Sequence, residues 1–243
     1  MANLFRFLQI KKPYLLDAFV LKVIAIVAMT VDHIGAFLYA DDIWLRIIGR
    51  LTIPIIAFLI VEGYHHTSNI KRYMFRLFGF ALLAQPIYLL AFEHGLNVLF
   101  DLFIGLGAIL IIDKFKLGWW QYPFIAIVSL IAIGISLDWW HLAILMIFIF
   151  HRWRGNFKAI TFAIVALFTT NFLLFRVVAD ITGNESLQIT HTTNLYCIAA
   201  LPLIYLYSGA RGPYSSGPDY RYFFYLYYPA HLLAIYLIKI NYF

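Results

Sequence analysis

The chain has 243 residues, of which 63% are hydrophobic and 12% charged, with a formal net charge of +6. Soluble domains run at about 45–50% apolar and about 25% charged residues, so a water-facing globule is excluded and an integral membrane protein is expected. One cysteine, Cys197, excludes an intramolecular disulfide and a thiolate metal cluster.

Apolar segments of about 17–25 residues can cross a bilayer as helices. In chain order they fall at 18–40, 43–62, 74–92, 96–112, 121–137, 139–151, 158–179, 191–209 and 222–240. No small-residue cleavage site follows the first run, so it reads as a retained span and not a removed signal. The expected fold class is therefore all-α, a polytopic transmembrane helix bundle of about nine spans. Basic loops mark the cytoplasmic side. Lys11 and Lys12, then Lys71, Arg72 and Arg76, then Lys114 and Lys116, then Arg152, Arg154 and Lys158, then Arg211 and Arg221 occupy alternate connections. Asp41, Asp42, Glu93, Asp138, Asp180 and Glu185 occupy the others, which places the N-terminus in the cytoplasm. The alternation requires 121–151 to cross twice. No soluble insertion is long enough to fold separately, so residues 1–243 read as one membrane domain. Because the positive charge follows topology, membrane lipid is the expected partner and nucleic acid is not.

Ionisable groups at membrane depth pair, line a cavity or do chemistry. Asp32 and His33 interrupt the first apolar run. With a rise of 1.5 Å per residue, Asp32 lies about 12 Å from the outer end of that helix and Arg50 about 10 Å into the next. An ion pair between them is expected at one depth. Adjacent on a helix, Asp32 and His33 point about 100° apart, which leaves His33 free for another task. Pro54 cannot donate to the carbonyl of Arg50, so a kink is expected there. Asn97 and Asp101 at the start of the fourth span, and His141 beyond the turn DWWH, approach from the same outer side. Gln85, His231, Glu62 and Arg76 are placed deeper or toward the inner face. Glu62, Arg76, His65 and His66 read as solvated groups, and His94 and His151 as loop-edge residues without function. No histidine pair has ligand spacing on one helix, so no metal site is expected.

The segments LKVIAIVAMTVDHIGAFLY, LRIIGRLTIPIIAFLIVEGYHHTSNIKRYMFRL, AQPIYLL and NVLFDLFIGL together resemble the TraX family, and YPAHLLAIYLI is similar to its tyrosine-rich last helix. TraX proteins acetylate a pilin N-terminus and are related to the transmembrane acyltransferases, where a histidine late in the first conserved helix is required; His33 matches it. The resemblance implies transfer of an acetyl group from cytosolic acetyl-CoA to an amine, or a hydroxyl, presented outside the bacterial inner membrane. Catalytic roles fall on His33 as general base, Asp32 and Arg50. Substrate contacts are expected from Asn97, Asp101, Gln85, His141 and His231, and CoA phosphate contacts from Lys71, Arg72 and Arg76. A proton-coupled transporter using Gln85, His231 and Asp32 as a relay, and a non-catalytic pilus-assembly partner, are the competing classes. The first predicts no CoA release; the second predicts that Asp32 and His33 tolerate substitution.

Overall fold

The computed structural model describes residues 15–93, 95–212 and 218–242. Lys11, Lys12, His94 and the middle of the Gly/Pro/Ser-rich linker lie outside them. The described chain is a helix bundle: α1 (Ala18–Phe37), α2 (Ile43–Gly49), α3 (Thr52–His66), α4 (Ile70–Phe92), α5 (Val98–Phe115), α6 (Gln121–Gly134), α7 (Trp140–Arg152), α8 (Phe157–Thr182), α9 (Glu185–Asn194), α10 (Leu201–Tyr205) and α11 (Pro218–Tyr242). Among the described residues, extended pairing is confined to the isolated bridges Leu16–Tyr207 and Leu96–Leu137.

Among the described residues, five segments are long and apolar enough to cross a membrane: Ala18–Phe37, Ile43–His66, Ile70–Phe92, Phe157–Thr182 and Tyr222–Tyr242. Gly118–Gly134 and Trp140–Arg152 are apolar but shorter. At 1.5 Å per residue, α6 and α7 each reach only about 20 Å, less than a hydrocarbon core of about 30 Å. The eighth expected span, 191–209, is not one continuous helix. It is α9, a 3-10 stretch Leu195–Ala200 and α10 in series. The polar HTTN at 191–194 closes α9, and Pro202, which has no N–H to give the Ile198 carbonyl, stands just beyond the 3-10 stretch.

Short helix α7 sits at the centre. Leu142, Ala143, Ile144 and Met146–Phe150 are all buried, so the helix is apolar on every side because protein surrounds it. It packs on α3, α5, α6 and α8. Gly105 lets α5 come close, since a Cβ there would lie 2.5 Å from the Ile147 side chain. Around this core, exposed Phe75, Leu130, Phe162 and Ile181 give the outside an apolar surface.

Helix starts follow local chemistry. Asp17, Asp42, Asn69, Asn97 and Asn156 accept from backbone N–H groups in the first turns of α1, α2, α4, α5 and α8. One end of the bundle carries the connections with Asp41, Asp42 and Asp138; the other carries Lys71, Arg72, Lys114, Lys116, Arg152 and Arg154. They are called the acidic and basic ends below.

Candidate functional site

The turn at 38–42 folds α2 back against α1. Two glycines allow it: a Cβ at Gly35 would lie 2.7 Å from Leu45 Cβ, and one at Gly49 would collide with the Asp32 side chain. The close approach aligns Asp32 with two guanidinium groups. Arg46 Nη1 donates to Asp32 Oδ2 at 2.8 Å and to the Asp32 carbonyl at 3.0 Å, while Arg50 Nη2 donates to Asp32 Oδ1 at 3.1 Å. Arg50 is also tied through Nη1 to Asn194 at 3.1 Å and through Nε to the Arg46 carbonyl at 3.2 Å. Its guanidinium lies 5.1 Å from the Trp139 ring centre, a cation–π approach. Buried Arg50 thereby joins α1, α2, α9 and the turn before α7.

The helix breaks at Arg50 and Leu51, whose N–H groups turn to the tighter Ile47 and Ile48 carbonyls. Pro54, four residues beyond Arg50, supplies no hydrogen for the Arg50 carbonyl. The break lets Arg50 lie across the bundle at the level of Asp32. Arg46 escaped the sequence reading although it stands one turn before Arg50 on the same helix face.

His33 turns away from this ion cluster. Its Nδ1 is 2.7 Å from His231 Nε2, and the two rings stack at 4.9 Å and 16°. His231 Nδ1 is 2.8 Å from the Tyr227 carbonyl. A carbonyl only accepts, so His231 Nδ1 carries the hydrogen. With both rings neutral, His231 Nε2 then has the lone pair and His33 Nδ1 the hydrogen between them. The chain leaves His33 Nε2 as a bare lone pair. Tyr227 is itself fixed: Thr30 donates to the Ile26 carbonyl at 2.8 Å, so the Tyr227 hydroxyl donates to Thr30 Oγ1 at 2.7 Å. Phe37 and Phe92 stand 6.4 and 5.8 Å from the His33 ring, giving it an apolar border. His231 therefore lies in the His33 layer, not deeper as the spacing suggested.

Other expected residues disperse. Gln85 belongs to the acidic end instead of the interior: its Oε1 accepts from Asn97 Nδ2 at 2.7 Å and from Asn97 N at 3.0 Å, and its Nε2 donates to the Gly95 carbonyl at 2.9 Å. Asn97 also caps α5 and donates to the Ala81 carbonyl. These two amides hold a turn. Asp101 is fully buried, accepts from Trp139 N at 3.2 Å through Oδ1, and has no partner on Oδ2. Because Trp139 also carries Arg50, Asp101 adjoins the ion cluster. His141 joins a different group: its Nε2 lies 3.3 Å from Asn171 Nδ2, and Asn171 Oδ1 is 2.9 Å from His191 Nδ1.

At the basic end Lys71 and Arg72 are exposed. Arg76 is not simply solvated; it is half-buried with its guanidinium 5.5 Å from the Tyr73 ring centre. Glu62 is buried and takes Arg154 Nε at 2.7 Å and Nη2 at 3.3 Å. His151, in the last turn of α7, is placed between Asp113 at 3.1 Å and His65 at 3.2 Å, a partnered group at the exposed basic end. No group of three or more His, Cys, Asp or Glu side chains among the described residues is arranged to hold a metal.

A helix bundle that sets an Arg–Asp–Arg cluster and a histidine pair among membrane-length helices, toward its acidic end, defines a polytopic membrane protein with polar groups between its spans. The TraX protein family model matches residues 18–239, and the chain belongs to that family. It is 31% identical over 241 residues, 90% of this chain and 94% of the relative, to the probable fimbrial assembly protein FimC, serogroup H1, of Dichelobacter nodosus. It is 33% identical over 87 residues to the uncharacterized protein RP591 of Rickettsia prowazekii (strain Madrid E), covering 35% of this chain and 33% of the relative. No solved structure matches.

Proposed function

We propose that the protein is a bacterial inner-membrane acetyltransferase that moves an acetyl group from cytosolic acetyl-CoA to an amine presented on the other side, with a pilin N-terminus as the favoured acceptor class. The observation that carries this reading is the bare Nε2 of His33, set by the His231–Tyr227 chain beside the Arg–Asp–Arg cluster. Family membership and the fimbrial name of the Dichelobacter relative favour a pilin-type acceptor over a sugar hydroxyl.

In this mechanism His33 Nε2 takes the proton from the acceptor as its nitrogen attacks the thioester carbonyl. The new C–N bond forms, the C–S bond breaks, and the departing sulfur receives the proton from the His33 imidazolium, so CoA leaves as the thiol. His231 steadies the imidazolium through Nε2 without contacting substrate. Arg50 presents five N–H hydrogens, three of them spent on protein partners, and the remainder can face the oxyanion. Asp32 holds both guanidinium groups in place. The unpartnered Asp101 Oδ2 receives an N–H of the arriving amine.

The test is thiol release from acetyl-CoA by purified protein in detergent, with a peptide amine as acceptor. Wild-type protein should release CoA thiol and acetylate the peptide in equal amounts. His33→Ala should lower the rate by about 10²- to 10⁴-fold, the range for loss of a general base. Full transfer by the alanine variant removes the assignment; absence of thiol release by wild-type protein favours a transporter or an assembly partner.

A further inference from the structure

A cavity of about 340 Å³ opens at the basic end, between the last turns of α3 and α7, the start of α8 and the segment after α10. Its lining combines the Glu62–Arg154 pair with Phe58, Phe157, Tyr205 and Tyr207. Small-molecule sites commonly run to about 300–1,000 Å³ and carry a few polar groups that orient the ligand; this cavity is at the small end of that range and about half polar in its lining. Phe58 meets Tyr207 edge to face at 5.3 Å, and Phe157 meets Tyr205 at 4.7 Å, so the aromatic walls are braced from both sides. Arg154 commits Nε and Nη2 to Glu62, while its side chain stays 41% exposed. Arg154 is the cation in the cavity lining; Arg152, Lys158 and Arg211 lie on neighbouring stretches of the chain, with Arg211 donating to the His66 carbonyl at 3.0 Å.

Two chain segments run from this cavity to the Arg50 layer. Along α3, Phe58 is eight residues from Arg50, about 12 Å at helical rise, and Glu62 about 18 Å. On the facing side, the 3-10 stretch Leu195–Ala200 and α10 connect Asn194, bonded to Arg50, with Ile204 and Tyr205 in the cavity wall. The stretch packs on α3 through small buried groups, Cys197 and Ala200. Buried side chains close the seam between these segments, so the cavity ends at Phe58 and Ile204, about 12 Å of helix from Arg50.

We propose that this cavity is where the acyl donor enters, with the pantetheine arm of acetyl-CoA between Phe58, Tyr205 and Tyr207 and its phosphates at the Arg154 rim. The inference rests on the reading of the protein as a CoA-dependent acetyltransferase. It moves the phosphate contacts from Lys71, Arg72 and Arg76 on α4 to the α7–α8 and α10–α11 connections. Lys71 instead borders a shallow apolar groove with Met74, Phe75 and Phe103.

The test is equilibrium binding of CoA to the purified, full-length protein in detergent, which needs no turnover. Ser208→Trp puts a bulky side chain into the cavity while both members of the Glu62–Arg154 pair stay in the chain, and Arg154→Gln removes the rim cation. Each should weaken CoA binding at least tenfold, Ser208→Trp with a thermal midpoint close to wild type and Arg154→Gln with a lowered one because buried Glu62 loses its cation, whereas Lys71→Ala with Arg72→Ala should leave binding within twofold. If Arg154→Gln fails to fold, Ser208→Trp carries the decision. Unchanged binding in the filled variant, or loss confined to the α4 pair, overturns the cavity and leaves the acetyltransferase reading intact. Failure of wild-type protein to bind CoA at all overturns both.

Discussion

Two histidine pairs lie at opposite ends of this bundle and look alike. His33 and His231 are joined at 2.7 Å with rings 4.9 Å apart and 16° from parallel; His65 and His151 are joined at 3.2 Å with rings 5.3 Å apart and 13° from parallel. Their surroundings separate them. The first pair ends on a backbone carbonyl, adjoins the partly buried cluster around Arg50 and has phenylalanines at its border. The second ends on Asp113, whose side chain is 45% exposed and also accepts from Tyr64 at 2.8 Å. Water and a mobile counter-charge can satisfy the second pair, and it ties α3 and α7 to α5. The first is held in one tautomer by groups that water does not replace. Pair geometry alone therefore does not mark the reactive imidazole; the terminus of the hydrogen-bond chain does.

The largest effect separates the pairs directly. His33→Ala should reduce transfer by about 10²- to 10⁴-fold, while His65→Ala, measured in the same thiol-release assay, should leave it within about twofold. Equal losses would erase the distinction.

Next in size is the contrast between the two ion clusters. Asp32→Ala strands Arg46 and buried Arg50, and loss of one partner from a buried pair costs about 3–5 kcal/mol. Glu62→Ala leaves Arg154, which is 41% exposed and can reach water, so the cost should be nearer the surface-pair value of about 1 kcal/mol. Thermal or denaturant unfolding in detergent reads both; a larger loss for Glu62→Ala would reverse their ranking.

Gly49→Ala comes third. Its new methyl meets Asp32 itself, and overpacking of this sort costs about 1–3 kcal/mol. Gly134→Ala, where a Cβ meets nothing within 4 Å, is the control and should unfold close to wild type. The smallest effect belongs to His231. His231→Leu removes the acceptor of the His33 Nδ1 hydrogen and should lower kcat roughly tenfold, about 1.4 kcal/mol, with KM little changed. His231→Gln restores an acceptor oxygen and should recover part of kcat; a purely structural role would move both variants' thermal midpoints instead.

Much of the central pairing was legible in the chain. Asp32 and Arg50 stand at matching depths on two helices joined by a five-residue turn, and helical rise alone brings them together. The Pro54 position announced the break at Arg50 for the same local reason. What the chain hid was long-range. His231 is 198 positions from His33, and no periodicity states that α11 packs on α1. Asn194 and Trp139 reach Arg50 because α9 and the turn before α7 converge on it, again a tertiary fact. His141 misled for a simpler reason: its partner Asn171 lies on α8, whose apolar pattern reads as lipid-facing. Glu62 near a helix end reads as solvated until Arg154 arrives from a distant turn.

The central claim is the protonation pattern of one ring, and nitrogen NMR of histidine-labelled protein reads it directly. With His231→Leu and His33→Ala used to assign the signals, the account predicts that His33 near neutral pH carries its hydrogen on Nδ1 and none on Nε2. A hydrogen found on His33 Nε2 in the resting protein would contradict it, because the nitrogen proposed to take the acceptor's proton would already be occupied.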